Sequence, residues 1–383
     1  MQTFKITCPC HFGLEAVLKR EIYDLGYDTD EVVDGRVSFV GDAEAIVRAN
    51  IYLRSAERVL LEVGSFTATS FEDLYQGIKK LDWENYIPAD GKFWVTKATS
   101  VKSALFSLTD IQRVVKKAMV DSLRISTGNR EFPETGCDYP VRIFILKDRV
   151  TVTIDSTGTS LHKRGYRKLT AKAPLSETLA AAIIGLTFWK PGRTLIDPFC
   201  GSGTFCIEAA MMAANIAPGM NRTFTAMGWA NLVDKDLWKE IKAEAKEEVN
   251  LDIPLTISGF DKDPEMIKIA RANAKAAGVD KLIHFQQKDV SELSSKEKYG
   301  FIITNPPYGN RLEELKDMPA LYSTIGNVYK KLDTWSLIMI TSFEDAANCI
   351  GKKCDKNRKI YNGGEKTYVY QFLGPKPPKQ DKD

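Results

Sequence analysis

Four short stretches put residues able to do chemistry at the ends of apolar runs. The first is LIDPFCGSGTFCIEAA, Leu195 to Ala210. An apolar strand ends in Asp197, the chain turns through Gly201 and Gly203, and a helix opens at Thr204. Glycine admits positive φ and lets a ligand approach the backbone, and a helix N-terminus offers unpaired N–H groups. This is the first strand–turn–helix of a nucleotide-binding α/β unit. It is not the dinucleotide fingerprint, since Cys206 takes the third glycine's place, and no lysine follows to make a P-loop. A loop that begins with Asp and lacks Lys suits a cationic or zwitterionic nucleoside.

Two acids end the next strands. Asp261 closes ISGFD, where an acid bonds ribose hydroxyls. It lies further from the glycines than the usual ~20 residues, and an insertion between Met212 and Pro254 accounts for the gap. Asp263 is better placed to cap a helix starting at Pro264. Asp289 closes FQQKD, where it either reaches an adenine amino group or caps a turn. The fourth stretch, NPPYGNRL, follows the apolar run YGFIIT. Two prolines fix two φ angles and end the ladder. The side-chain oxygen of Asn305 and the carbonyl of Pro306 can accept both protons of a planar exocyclic amine, Pro307 stiffens the corner, and Tyr308 can stack on the base. Such a corner orients an amine for an in-line displacement by positioning and charge complementarity.

The surrounding pattern supplies strands and helices to hold these residues. Up to about residue 160, short helices alternate with strands and hairpins, one turned at Asp34-Gly35 and another at Lys147-Asp148. That pattern predicts small α+β layers and not one large sheet. Residues 161–173 read as a basic connector, HKRGYRKLTAK within it carrying five Lys/Arg and no acid. From residue 174 to 374 strands alternate with helices, which predicts a mostly parallel sheet covered on both faces and closed by an antiparallel hairpin. Residues 375–383 read as a disordered polar tail.

Composition narrows the functional classes. The chain of 383 residues is 44% hydrophobic and 27% charged with net charge +3, so it is neither a polycation nor broadly disordered. Its longest apolar stretch, Leu179 to Trp189, is far short of the ~20 residues that cross a bilayer. No signal peptide is visible, and a cytoplasmic location is expected. Seven scattered cysteines argue against a disulfide framework. Cys8-Pro9-Cys10-His11 has no second half with metal-ligand spacing, so no metal is expected. His11, His162 and His284 have no catalytic partner in sequence.

DPFCGSGT, an acid at each of the next two strand ends, and NPPYG resemble the class I S-adenosylmethionine-dependent amino-methyltransferases. DSTGTSLHKRGYRKLTAKAPLSETLAAAII, ANIAPGMNRTF and NPPYGNRL together resemble the RlmL/YpsC-like RNA methyltransferases, which make N2-methylguanosine in large-subunit ribosomal RNA. The likeness spans nearly the whole chain. It implies a Rossmann-like class I methyltransferase domain preceded, over residues 1–160, by a ferredoxin-like subdomain and a THUMP RNA-binding domain. It assigns Asp197, Phe199, Gly201 and Gly203 to the methionine and ribose end of S-adenosylmethionine, Asp261 to the ribose and Asp289 to the adenine. Thr178, in ETLAAA, falls near the methionine end, the target amine falls to Asn305, Pro306, Pro307 and Tyr308, and Asn305 is also expected to touch the cofactor. The fused members of that group carry a second methyltransferase domain, and that second activity is expected to be absent here.

Given that resemblance, Arg164, Tyr166, Arg167 and Lys168 of the connector, with Arg311, are expected to contact RNA phosphates. The target base must be exposed or flipped. Three functions stand beside one another. The first is guanine-N2 methylation of ribosomal RNA, or in a variant of transfer RNA. The second is adenine-N6 methylation of RNA or DNA, because the corner serves that amine equally. The third is a non-catalytic RNA-binding assembly factor, against which the intact glycine loop argues.

Overall fold

The computed structural model describes residues 2–128, 131–167, 175–309, 315–362 and 364–378. The chain forms two compact units. One comprises Met1–Cys10, Lys19–Leu161 and Asn221–Glu244, and the other His11–Leu18, His162–Met220 and Ala245–Asp383. The insertion read from the sequence thus lends its middle to the first unit, and a short segment near the N-terminus belongs to the second.

The first unit is built on seven strands: β1 (Phe4–Pro9), β2 (Thr29–Val33), β3 (Arg36–Gly41), β4 (Leu60–Thr67), β5 (Lys92–Val101), β6 (Asp138–Leu146) and β7 (Arg149–Asp155). They form one sheet in the order β2-β3-β1-β4-β7-β6-β5. This corrects the expectation of separate small layers. The joint is β4, which pairs antiparallel with β1 through Lys5↔Glu62 and with β7 through Leu60↔Asp155. Both its edges are used, so what read as two modules shares one sheet. The β6–β7 turn carries Lys147 and Asp148 at φ 50 and 63, the left-handed pair that a two-residue hairpin needs.

The second unit carries β8 (Leu195–Asp197), β9 (Ile257–Asp261), β10 (Ile283–Gln287), β11 (Phe301–Thr304), β12 (Ser336–Thr341), β13 (Lys356–Asn362) and β14 (Glu365–Phe372). Their order is β10-β9-β8-β11-β12-β14-β13, parallel from β10 to β12 and antiparallel in the closing hairpin. Period-two alternation splits the apolar side chains between two cores. Ile303, Ile338 and Ile340 pack into one, while Ile302, Leu337 and Met339 pack into the other. Every residue of β12 is buried, as a strand covered on both faces requires. After β8 the chain builds outward to β9 and β10, then returns to the other side of β8 with β11. The order therefore reverses between β8 and β11, and in open α/β sheets the crevice at such a point takes the ligand.

Candidate active site

The carboxyl ends of β8, β9, β10 and β11 line one cleft of about 360 Å3. Asp197, Phe199, Gly201, Asp261, Asp289, Asn305, Pro306, Pro307 and Tyr308 all face it. The four motifs chosen from sequence are thus brought together.

The glycine loop is held from both sides. The Gly201 N–H donates to Oδ2 of Asp261 at 3.0 Å, the Cys200 N–H donates to the Phe260 carbonyl at 2.8 Å, and Asn273 donates to the Ser202 carbonyl at 3.1 Å. Gly203 departs from its expected role. It sits at φ +87 ahead of the helix Thr204–Ala213, and a Cβ there would lie 3.1 Å from the Phe285 ring and 3.2 Å from the Ala270 side chain. It is absent from the cleft lining, and its smallness lets the loop pack on its neighbours.

Asp197 is buried at the switch point. Its Oδ1 accepts from the Thr304 hydroxyl at 2.6 Å and from the Phe199 N–H at 3.1 Å. Burial pushes its carboxyl up to about 7, and the nearby Asp261 adds to the rise, while the two hydrogen bonds oppose it. Asp261 accepts one backbone N–H on each oxygen, from Gly201 and Asp263, and each oxygen can accept a further bond. Asp263 caps the helix Pro264–Ala277 as expected. Asp289 lies two residues beyond the end of β10, where it makes the turn cap and also borders the cleft. Its Oδ1 caps a short turn through Ser291, and the residue lines the cleft. Those bonds hold its carboxyl below the usual range.

At the corner the Tyr308 hydroxyl donates to Oδ1 of Asn305 at 2.5 Å. The Tyr322 hydroxyl donates to the Pro307 carbonyl at 3.1 Å and lies 2.5 Å from the Thr341 hydroxyl. The two prolines and Tyr322 fix the backbone, while Tyr308 occupies one face of the amide oxygen. Burial, with Tyr322 and Glu365 nearby, raises the Tyr308 phenol well above its ordinary value, so it stays a donor.

The connector residues turn inward, which corrects their assignment to RNA. Arg164 pairs with Glu208 at 3.6 Å with side chains 1% and 0% exposed, and the Tyr166 hydroxyl donates to the same Glu208 at 3.0 Å. Arg167 pairs with Glu177 at 3.1 Å and donates to the Leu175 carbonyl and the Thr204 hydroxyl, each at 2.8 Å. Leu175 and Thr204 line the cleft, so Arg167 braces its wall. Thr178 is fully buried in the helix Glu177–Gly185, away from the cleft lining, and is corrected likewise. It stands in the first turn of an apolar helix that the core covers. Lys168 and Arg311 lie outside the described residues.

Lys262 and Lys288 also line the cleft and were missed, as were Met266, Val290 and Leu321. Each lysine sits beside a strand-end acid, and that adjacency was the available signal. Cys200 and Cys206 are buried with thiols pushed well above their ordinary value, so neither is a nucleophile. No metal-binding group of His, Cys, Asp or Glu occurs among the described residues. No described helix is long and apolar enough to cross a membrane.

Comparison with known proteins decides the family. The description "RMKL-like, methyltransferase domain" matches residues 164–371, more than half of the chain. The chain belongs to this methyltransferase family. Ahead of that region, an RlmL ferredoxin-like domain matches residues 5–60 and a THUMP domain residues 68–155. YpsC of Bacillus subtilis (strain 168), provisionally named an RNA methyltransferase, is 45% identical over 100% of this chain and 99% of its own. A methylase structure from Clostridium difficile 630 superposes with TM-score 0.95 at 46% identity, covering 99% of this chain and all of that one. The structure of SMU.472 complexed with SAH superposes with TM-score 0.92 at 43% identity over the same shares.

S-adenosylmethionine is therefore the methyl donor of this methyltransferase, and the residues present fit it. The loop offers backbone and carboxylates without a phosphate-binding lysine, and the cleft is within the ~300–1,000 Å3 of small-molecule sites. The loop from Asp197 to Thr204, with Asp261 and Asp289, would hold it. When bound it supplies an electrophilic methyl on a sulfonium.

Proposed function

We propose that this methyltransferase modifies the exocyclic N2 amine of a guanosine in RNA, large-subunit ribosomal RNA being the preferred substrate. The observation that carries the reading is the convergence of Asn305, Pro306 and Tyr308 with the Asp197 loop on one cleft. In this reading Asn305 Oδ1 and the Pro306 carbonyl accept the two amine protons and aim the nitrogen lone pair, while Tyr308 stacks on the base. The amine gives up one proton for the methyl it gains, after attack, so no strong base is required. The Tyr308 hydroxyl must yield its place on Asn305 as the amine arrives.

RNA as substrate is supported by the THUMP match and by the name of YpsC. Guanine is supported by a second cavity that begins at Tyr308 and is also lined by Glu344, Asp345 and Glu365. A carboxylate accepts the N1–H that guanine presents beside its amine, whereas adenine N1 is itself an acceptor. Adenine-N6 methylation of RNA or DNA is the second reading. A Listeria monocytogenes relative whose structure superposes with TM-score 0.91 at 44% identity is named a predicted N6-adenine-specific DNA methylase. Digestion of the methylated product to nucleosides and mass spectrometry separates the two. N2-methylguanosine is expected, and N6-methyladenosine from RNA or N6-methyl-2′-deoxyadenosine from DNA would favour the second reading.

A further inference from the structure

The cofactor loop and the amine corner meet through one side chain. β8 and β11 are parallel neighbours, with Phe301↔Leu195 and Ile302↔Ile196 in register. One strand ends in Asp197 and the other in Thr304, next to Asn305. Thr304 is fully buried, Asp197 is 1% exposed, and the threonine hydroxyl donates to the carboxylate at 2.6 Å. Thr304 does not itself line the cleft. A buried threonine that only filled space would be as well served by valine, without an oxygen to satisfy.

We propose that Thr304 is a positioning residue that couples the two halves of the site: its hydroxyl bond favours the Asp197 carboxylate form that a cationic cofactor takes and holds the Asn305 corner in register with the loop. The first half concerns cofactor binding alone. The second rests on the role given above to Asn305.

The environment of Asp197 gives the coupling its sign. The acid Asp261, from the end of β9, raises its pKa. Cys200 and Cys206, from the loop and the helix after it, remain neutral thiols. Lys262 and Lys288 are the cations of the same cleft. Among the described residues, the hydrogen bonds of Thr304 and the Phe199 N–H favour the ionised form. Removing the threonine donor therefore makes the carboxylate easier to protonate.

The test is calorimetric titration of the full chain with S-adenosylmethionine, without RNA, across roughly pH 5.5 to 9. Wild-type affinity is expected to weaken as pH falls through the Asp197 titration. Thr304→Val moves that midpoint up by about one pH unit, Thr304→Ser returns it, and Asp197→Asn abolishes the dependence. An unchanged midpoint in Thr304→Val, a uniform loss at every pH that Thr304→Ser fails to recover, or a surviving limb in Asp197→Asn overturns the proposal. If Thr304→Val does not fold, Thr304→Ala gives the same comparison. The corner half is read separately. At high pH, Thr304→Val is expected to bind cofactor like wild type while kcat stays about tenfold low, and equal kcat would overturn that half only. Because the cofactor titration uses no nucleic acid, it stands whichever base is methylated.

Discussion

Asn305 and Asp197 sit at adjacent strand ends yet are expected to fail differently. Asn305→Ala removes an acceptor aimed at the amine, so methyl transfer should drop by about 10²–10³ while calorimetric cofactor affinity stays near wild type. A variant that transfers at full rate would remove Asn305 from the chemistry. Tyr308→Phe keeps the ring and frees the amide oxygen, so activity should stay within about tenfold of wild type. Tyr308→Ala loses the stacking surface and should fall well below that, as KM for RNA will show. For Asp197 the sign follows from a folded value of about 7 against an ordinary 3.8. Between those values the folded protein holds a proton that the unfolded chain has lost, so this group's contribution to stability falls as pH rises and its burial cost is fully felt above about 7. A cationic cofactor relieves that cost. The rise in melting temperature with S-adenosylmethionine should therefore be larger near pH 8 than near pH 6, and a pH-independent rise would contradict it.

The elements explain why those residues hold still. Gly203 lets the loop settle on Phe285 and Ala270 at a left-handed φ, and Gly203→Ala is expected to cost about 1–3 kcal/mol by urea unfolding, with weakened cofactor binding. The connector anchors to the helix of the glycine loop. Arg164→Ala removes the cation paired with buried Glu208 and should cost about 3–5 kcal/mol. Its salt dependence of RNA binding should remain that of wild type, whereas a phosphate contact would lower the slope by about one. Glycine loop and proline corner were legible in the sequence because each interrupts an apolar run with residues of narrow conformational range. The fate of Arg164, Tyr166 and Arg167 was not. A basic run shows its charge, but not that Glu208 and Glu177 sit in other elements to receive it. The buried place of Thr178 was hidden for the same reason.

At the scale of the molecule, the strand–helix alternation after residue 174 made the parallel sheet readable, since each βαβ step is local. The seven-stranded sheet of the first unit was not, because β4 joins partners far apart in the chain. Nor was the assignment of Asn221–Glu244 to that unit, which depends on packing alone. The chain thus carries a THUMP-containing unit and a methyltransferase unit, and in the function proposed above they place one methyl on a guanosine amine in RNA. The most direct measurement is nucleoside mass spectrometry of ribosomal RNA from cells lacking the gene, complemented with wild type or with Asn305→Ala. One N2-methylguanosine is expected to disappear, to return with wild type and to stay absent with the variant. Unchanged N2-methylguanosine, or loss of N6-methyladenosine in its place, would contradict it.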